Sequence, residues 1–501
     1  MVIRKIITLS VISTVLFTGI QTLAIEDEAD LFRPVDVHNG SVLNIIDCVS
    51  LAFKNSPKIR REKYNLDVAK SNVGIAKSQY FPVISAGAGF YNENNSNSIY
   101  YDSHYRDLPS VGVSINQLIW NFGKTTAYIK MEEFYKIGAE YEFMDSLCNT
   151  LFDVKAKYYN LLKAKALLNV AKNNEDLNQR IVNLTKGRDK ADITTAKVNL
   201  SEAKIKYIEA ENTFNNAKVD LTNSMYLDSQ YDYDIENTPT FTYNDDYGYD
   251  SKLVEAKPFE PYVFPFEKSE AVDIAYKNSP DLRVLIAVKK AMEQSLKYVK
   301  RTYLPDLIGT VGYSYGNIKS NTEERVSNNS LYAGVKLSSD INIKELYHSI
   351  KGADAQLNMA ENEIVLFKQD LFFELKRAFN NLEKSERRIK LAQEEAKKAF
   401  YTSKIIIDRY KQGSVDYTAL QDARTDFIEA ENDYINSLYD YNMALIQVEM
   451  AMHVHIADIH HKSEHAMRYH ANELLEHLNK ALACDEKEAE KNSNKELEED
   501  L

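Results

Sequence analysis

The sequence predicts a mainly helical protein that also supplies strands to a membrane β-barrel. Three observations lead to this fold class. A unit of about 180 residues occurs twice, which is too long for the repeat of an ordinary solenoid. Each copy contains long spans without proline, and each contains two segments in which apolar and polar residues alternate. Long helices and strands with one apolar face are therefore expected in both halves of the chain.

Short matching segments show that the chain contains an internal duplication. AFKNSP at 52–57 returns as AYKNSP at 275–280, and IEAEN occurs at 208–212 and again at 428–432. Both pairs keep the same order and nearly the same offset, so the chain divides into two equivalent halves.

The predicted organisation follows from these halves. In chain order we expect a signal peptide (1–24), an N-terminal extension (25–42), a first repeat (43–227), an acidic linker rich in tyrosine and proline (228–268), a second repeat (269–452) and a histidine-rich, then acidic tail (453–501). The linker could form an irregular collar around the helices or a disordered connection.

Composition excludes several functional classes. Hydrophobic residues make up 44% of the 501 positions, which is enough for a folded core. The net charge of −13 argues against nucleic acid as a partner, because most of the surface would repel phosphate. We find neither a phosphate-binding glycine loop nor a nucleophile motif, so we predict neither an enzyme nor a cofactor.

The N-terminus indicates export. Arg4 and Lys5 precede an apolar run at 6–20, and short side chains follow at Thr22 and Ala24. This pattern predicts a secretory signal peptide cleaved after Ala24. An uncleaved anchor is the alternative, although the run is shorter than the roughly 20 residues of a spanning helix.

Proline placement predicts one long helical hairpin in each half. The chain has no proline between Pro109 and Pro239 and none after Pro305, so we expect hairpins at about 125–226 and 344–452. Small residues recur every seven positions along the second helix of each hairpin, which predicts a coiled-coil seam. These residues are Ala196, Ala203, Ala210, Ala217, Ala423, Ala430, Ser437, Ala444 and Ala451.

Four segments that precede the hairpins alternate in polarity. We expect strands at about 83–91, 110–119, 306–315 and 331–341, each near the length that crosses a bilayer when tilted. Long polar segments connect the strands of each pair, as in barrel loops. The edge of a soluble sandwich would explain any one of these strands equally well. The residues predicted to face lipid are Val111, Val113, Val335 and Leu337.

Four strands are too few to close a barrel, because the smallest membrane barrels use eight. An open edge in lipid would leave backbone groups without hydrogen bonds. The chain must therefore assemble with copies of itself. Two copies would give eight strands around an interior filled by side chains, whereas three would give twelve and leave a lumen.

The order of several motifs resembles the outer membrane efflux protein family over about 43–452. The motifs are the two A-x-K-N-S-P helix starts, the strand entries at Pro82 and Pro305, WNFGK at 120–124 and RYKQG at 409–413. The resemblance implies a homotrimer whose twelve strands form an outer-membrane barrel in contact with lipid and whose twelve helices form a periplasmic tunnel. It also implies a passive exit duct of a tripartite efflux pump or a type I secretion system, which docks through a periplasmic adaptor protein onto an inner-membrane pump.

The resemblance also implies site residues near the hairpin tips. Asp422 matches one acidic position of the periplasmic gate, and Ala419 stands where another acid is common. Arg409 and Tyr410 are expected to hold neighbouring hairpins closed. Adaptor contacts are expected at the tips, at Gly187, Gly413 and Ser414.

Two segments depart from the family pattern. TKGRDKAD at 185–192 matches the family's tip less well than the second tip does, which leaves its adaptor contact open. DINIK at 340–344 lacks the glycine that stands at position 123 in the first half.

Two other functions remain open from the residues alone. An exported trimeric adhesin would also use long coiled coils, but it would not need lipid-facing strands. An exported metal-binding protein would use the tail, where His461 and His465 lie four apart. Neither carboxylate nor cysteine completes a recognisable site there, so we predict no metal.

Overall fold

The structure is a computed structural model that describes residues 37–94, 105–186, 189–227, 232–235, 242–243, 249–250, 268–319 and 325–453. The predicted signal peptide, most of the linker and the tail beyond His453 lie outside these residues. The described elements are β1 (Ser41–Leu43), α1 (Ile45–Asn55), α2 (Pro57–Ser78), β2 (Val83–Asn94), β3 (Tyr105–Trp120), α3 (Lys124–Leu184), α4 (Lys190–Ser224), β4 (Tyr233–Ile235), β5 (Thr242–Tyr243), β6 (Tyr249–Asp250), α5 (Lys268–Asn278), α6 (Pro280–Arg301), β7 (Asp306–Lys319), β8 (Arg325–Ser338), α7 (Ile343–Lys411) and α8 (Tyr417–Met452).

The repeated serine-proline pair separates two helices at the start of each repeat. The Ser56 hydroxyl accepts a hydrogen bond from the Ile59 backbone N–H at 3.4 Å, and the Ser279 hydroxyl accepts one from Leu282 at 3.3 Å. Proline follows each serine as the first residue of the next helix, where its missing N–H costs nothing. Identical caps therefore place α2 and α6 at equivalent points of the two halves.

The long helix α3 is the centre of the helical part. It packs against α2 and α4 of its own repeat and against α6 and α8 of the other. Its counterpart α7 packs mainly against α6 and α8. Eight of the nine small seam residues are buried, and Ala210 is half-buried. The heptad seams therefore lie inside the helix packing.

Part of the linker is ordered against the helices. β4 pairs in parallel with β1, and Tyr233 and Ile235 are buried in the largest apolar core, beside α3 and α4. Lys165 of α3 forms an ion pair with Asp234 at 2.7 Å. This short segment therefore fixes the N-terminal strand and the linker to the first hairpin.

The four long strands form one antiparallel sheet in the order β2, β3, β7, β8. β3 and β7 come from different repeats, so their pairing joins the two halves. The register aligns Ala86, Val113, Tyr313 and Leu331 across the four strands. In the described sheet, the outer strands β2 and β8 each have a single neighbour.

The strands differ in length from the sequence expectation. They contain 12, 16, 14 and 14 residues, and β2 and β3 continue their pairing as far as Asn94 and Tyr105. These extensions run into the segments that we assigned to polar loops. Ladder hydrogen bonds use backbone groups, so a strand can continue after its side chains have lost their apolar alternation. At the other end, β8 stops at Ser338.

The two halves enter their long helices differently. Gly123 is the N-cap of α3 with a φ of +78°, a left-handed conformation that glycine adopts without strain. The second half has Asn342 at this point, and its side-chain oxygen accepts a hydrogen bond from the Glu345 backbone N–H at 3.2 Å. A side-chain cap thus takes the place of the glycine missing from DINIK.

Candidate functional site

The turn between α7 and α8 is a Schellman motif. Gly413 has a φ of +73°, and its N–H donates to the Tyr410 carbonyl at 3.0 Å. The Ser414 N–H donates to the Arg409 carbonyl at 2.9 Å. This is the pattern that ends a helix with a glycine in the left-handed region. Gly413 and Ser414 therefore occupy the tip of the second hairpin. Gly187, at the first tip, lies outside the described residues.

Tyr410 is an internal packing residue of the tip. It is buried, and its ring lies edge-on to Tyr417 with centroids 6.2 Å apart. Ile181 of α3 and Ala196 of α4 belong to the same apolar cluster. The predicted gate tyrosine thus joins the two hairpins of one chain.

The other two predicted gate residues lie on the surface. Asp422 is exposed on α8 and Arg409 is exposed near the end of α7. Among the described residues, no ion pair connects them. The Arg409 backbone takes part in the turn, whereas its side chain remains available to a neighbouring molecule.

A buried arginine links the second hairpin to the first. Arg424 is only 4% exposed, and its guanidinium donates to the side-chain oxygens of Asn178 at 3.2 Å and Asn174 at 3.1 Å. The Asn178 amide in turn donates to the Asn174 side-chain oxygen at 2.9 Å, which fixes both acceptors. Losing these partners would leave a desolvated cation on α8.

A second set of polar contacts joins α8 to α4. The Asn199 amide donates to the Tyr417 hydroxyl at 3.0 Å, and the Gln421 amide donates to the Asn199 side-chain oxygen at 3.4 Å. Burial raises the pKa of Tyr417, which keeps the phenol neutral. We call the residues of the two sets the tip clasp. They are Asn174, Asn178, Asn199, Tyr417, Gln421 and Arg424.

Helices α3 and α8 are joined a second time, far from the tip. The Lys155 ammonium of α3 and the Glu449 carboxylate of α8 form a buried ion pair, with side chains 5% and 1% exposed. Breaking such a pair would leave an uncompensated buried charge. The α3–α8 contact therefore has a polar attachment at both ends.

Neither the tip clasp nor this ion pair was predicted from the sequence. The spacing of charged residues along α8 could have indicated which α8 residues make these contacts. Arg424, Glu431 and Glu449 are separated by 7 and 18 residues, which are whole numbers of turns in a coiled coil or a straight helix. Charged residues on one line of a helix with a buried seam predict contacts across that seam. Their partners on α3 could not be chosen from spacing.

The strand residues predicted to face lipid share one exposed face of the sheet. Val111 and Val113 alternate with Gly112 and Ser114 along β3, and Val335 and Leu337 alternate with Lys336 along β8. The four apolar side chains are exposed in the single chain. The register places all four on the same side and Ser114 and Lys336 on the opposite side.

The opposite face carries small and polar side chains. The Thr310 hydroxyl of β7 donates to the Asn116 side-chain oxygen of β3 at 2.8 Å. Tyr332 of β8 lies over Gly312, where an added Cβ would come within 2.3 Å of the ring. The sheet is thus amphipathic, with its tyrosine accommodated by a glycine on the neighbouring strand.

The described residues contain neither a helix that could span a membrane nor a cluster of metal ligands. Within these ranges, no helix has both the length and the apolar composition needed to cross a membrane. The same part of the chain contains no group of three or more histidine, cysteine or acidic side chains arranged to hold a metal ion.

Several solved structures that resemble this fold are outer-membrane proteins. The chain is 15% identical to the Campylobacter jejuni CmeC outer membrane channel, with a TM-score of 0.68, covering 92% of this chain and 97% of that one. It is 13% identical to the Vibrio cholerae outer membrane protein VceC, with a TM-score of 0.66, covering 81% and 95%. For the Neisseria gonorrhoeae MtrE outer membrane channel the identity is 12% and the TM-score 0.65, covering 87% and 94%.

Sequence comparison gives the family. No curated protein matches the chain significantly. The family model described as outer membrane efflux protein matches residues 48–225 and 271–452, which lie in the two repeats. This match confirms the resemblance carried by the repeated motifs: the chain belongs to the outer membrane efflux protein family.

Proposed function

We propose that the chain is the passive exit duct of an efflux system, with its strands in the outer membrane and its helices in the periplasm. The chain is exported by its signal peptide at 1–24, and three copies close a twelve-stranded barrel above a tunnel of twelve helices. A periplasmic adaptor protein and an inner-membrane pump complete a tripartite efflux pump or a type I secretion system. Membership of the family supports this proposal.

The observation that carries the proposal is an incomplete set of helix neighbours. α3 has α2 and α4 beside it as well as α6 and α8, whereas α7 packs mainly against α6 and α8 alone. The duplication implies that α7 should also have a stacked helix pair on its other side. In a ring of copies, α2 and α4 of the next chain would fill that place.

Exposed apolar side chains mark both halves of this missing contact. On α7, Met359, Leu366 and Phe373 are exposed at intervals of seven residues. On the opposite side of the chain, α2 exposes Tyr64, Val68 and Ile75, and α4 exposes Val198, Ile205, Ile208 and Val219. Stripes with this spacing fit a second copy better than water, because burying them removes apolar surface from solvent.

The sheet of a single chain also lacks neighbours, in this case at its two outer strands. β2 and β8 are outer strands that present unpaired backbone groups, and a bilayer offers these groups no hydrogen bonds. If β8 of one copy pairs with β2 of the next, the open edges disappear. Three copies give twelve strands and a lumen, whereas two would give eight strands and an interior filled by side chains.

The helix tips support a closed resting state. The tip clasp ties both hairpins of one chain together, and Asp422 stays exposed nearby. In the trimer, we place three Asp422 carboxylates around the periplasmic mouth, with Arg409 and Tyr410 at the closed hairpin ends. The tips at Gly187, Gly413 and Ser414 face the adaptor. Opening the mouth requires the tip clasp to release.

Planar-bilayer recording of the purified full-length protein tests the proposed duct. Stable conductance steps are expected after insertion from detergent. A coiled-coil adhesin would give no steps and would stay soluble without detergent, and that pair of results would refute the duct.

A further inference from the structure

Glu431 lies on the α8 line that faces α3. It follows Arg424 by seven residues and precedes Glu449 by 18, so the three side chains project from the same side of the helix. Arg424 bonds to Asn174 and Asn178 of α3, and Glu449 pairs with Lys155 of α3. Glu431 is therefore directed into the α3–α8 seam between these two attachments.

The Glu431 side chain is almost completely buried. It is 3% exposed, and within the described part of the chain neither a hydrogen bond nor a nearby charge contributes to the pKa of its carboxyl group. Burying an isolated carboxylate is far more costly than burying the protonated acid. Burial alone raises the pKa of Glu431 to about 8, so the acid holds its proton at neutral pH.

Within the described residues, no charged group contributes to the shift of the Glu431 pKa. The charged side chains that bond across the α3–α8 seam are Arg424, Lys155 and Glu449. On the other side, α7 contributes Ala396 and Ala399 to the packing around Ala430 and Tyr434. Gln393 of α7 hydrogen-bonds to Tyr434, which is itself titratable and lies one turn from Glu431.

The other repeat supplies a natural comparison. Glu211 occupies the same place in the first IEAEN segment, on α4, and it is exposed. Two identical five-residue segments thus put one carboxylate in water and the other inside the helix packing. The difference comes from tertiary structure, since α8 packs between α3 and α7.

We infer that Glu431 is a proton-binding site that controls the packing of the second hairpin against the first. With its proton, Glu431 fits the seam between the two repeats. When Glu431 loses its proton, an unpaired negative charge is buried in that seam. Either α8 then separates from α3 or water enters the seam between them. In the tunnel, loss of the proton would loosen the closed tip, and this last step rests on the proposed function.

The sign of the effect follows from the direction of the shift. The folded protein holds this proton to a higher pH than the unfolded chain, so the contribution of Glu431 to stability declines as pH rises from the ordinary glutamate range through about 8. Glu431→Gln keeps the shape and cannot ionise, and it should therefore abolish that part of the decline.

The test is thermal unfolding of the purified full-length protein in detergent at closely spaced pH values from about 5 to 9. The parent and Glu211→Gln should lose melting temperature together towards pH 9, and Glu431→Gln should lose less. An equal dependence of melting temperature on pH in all three proteins would overturn the inference. Infrared difference spectra provide a second measurement. A buried protonated carboxyl band should disappear near pH 8 in the parent and be missing from Glu431→Gln, which separates it from the signal of Asp145, whose pKa burial raises to about 7. Identical carboxyl bands in the parent and Glu431→Gln would also overturn the inference.

Channel recordings separate the site from its role in the tunnel. If loss of the Glu431 proton loosens the tip, the open fraction of the parent channel should rise at alkaline pH, and the open fraction of Glu431→Gln should not. An equal rise in both proteins would contradict control by Glu431 while leaving the duct intact. Absence of conductance under all conditions would instead count against the proposed function, since the unfolding and infrared tests do not depend on transport.

Discussion

Lys155 of the first repeat and Glu449 of the second form an ion pair that is almost completely removed from water. The pair joins α3 to α8 at the end of their contact that is remote from the hairpin tips. A buried pair of this kind is costly to break on one side alone. It therefore fixes the register of the two repeats, while the tip clasp holds the opposite end.

Removing one member of this pair should destabilise the chain strongly. Lys155→Met leaves the Glu449 carboxylate buried without its cation and is expected to lower the free energy of unfolding by about 3 to 5 kcal/mol. The double variant Lys155→Met with Glu449→Met restores neutrality and should recover most of the loss. Denaturant unfolding in detergent measures both. An equal loss in the single and double variants would show that packing matters more than charge.

Removing the clasp arginine should favour opening. Arg424→Ala deletes two charge-assisted hydrogen bonds, each worth about 2 kcal/mol, and should raise the open fraction in bilayer recordings. Arg388→Ala is the matched control, because Arg388 is a partly exposed arginine that pairs with Asp433 and Asp440 between α7 and α8. Its loss should cost less than about 1 kcal/mol. If both variants open the channel equally, the clasp has no special role.

The two faces of the sheet should respond oppositely to charge. Val113→Arg or Val335→Arg would place a cation in the bilayer at a cost of about 2 to 4 kcal/mol near the midplane, and should reduce assembly into the membrane. Ser114→Arg and Lys336→Glu change the opposite face and should mainly alter conductance. Membrane-inserted trimer is measured by gel after outer-membrane extraction. Similar tolerance on both faces would mean that the faces are wrongly assigned.

Asp422 should control ion selectivity at the mouth. Three carboxylates in a narrow opening attract cations, so Asp422→Asn should reduce cation selectivity and weaken block by divalent cations added on the periplasmic side. Asp426→Asn, another exposed acid on α8, is the control. Unchanged reversal potentials and unchanged block in Asp422→Asn would remove this residue from the gate.

The regular elements could be predicted because they depend on local pattern. Proline-free spans predict the long helices, and alternation predicts the four strands. Strand ends could not be predicted as well, because backbone pairing continues beyond the apolar alternation to Asn94 and Lys319.

The contacts at the site depend on tertiary register and were therefore beyond the sequence. Glu211 and Glu431 have identical neighbours along the chain, yet one is exposed and the other buried. Likewise, nothing adjacent to Arg424 indicates that its acceptors are Asn174 and Asn178, about 250 positions away on α3. The spacing of charged residues indicates which face of α8 is buried. Their partners on α3 are known only from the packing of the helices.

The copy number of the membrane complex is the decisive measurement for the proposed duct, because the barrel, the tunnel and the ring at Asp422 all require closure by identical chains. Native mass spectrometry of the full-length protein, extracted in mild detergent, gives this number from the ratio of the complex mass to the mass of the processed chain. We predict three copies. Variants of the exposed apolar side chains on α7 and α4, such as Leu366→Glu and Ile205→Glu, should shift the complex towards single chains. A folded monomer or dimer as the sole membrane-extracted species would contradict the prediction of three copies.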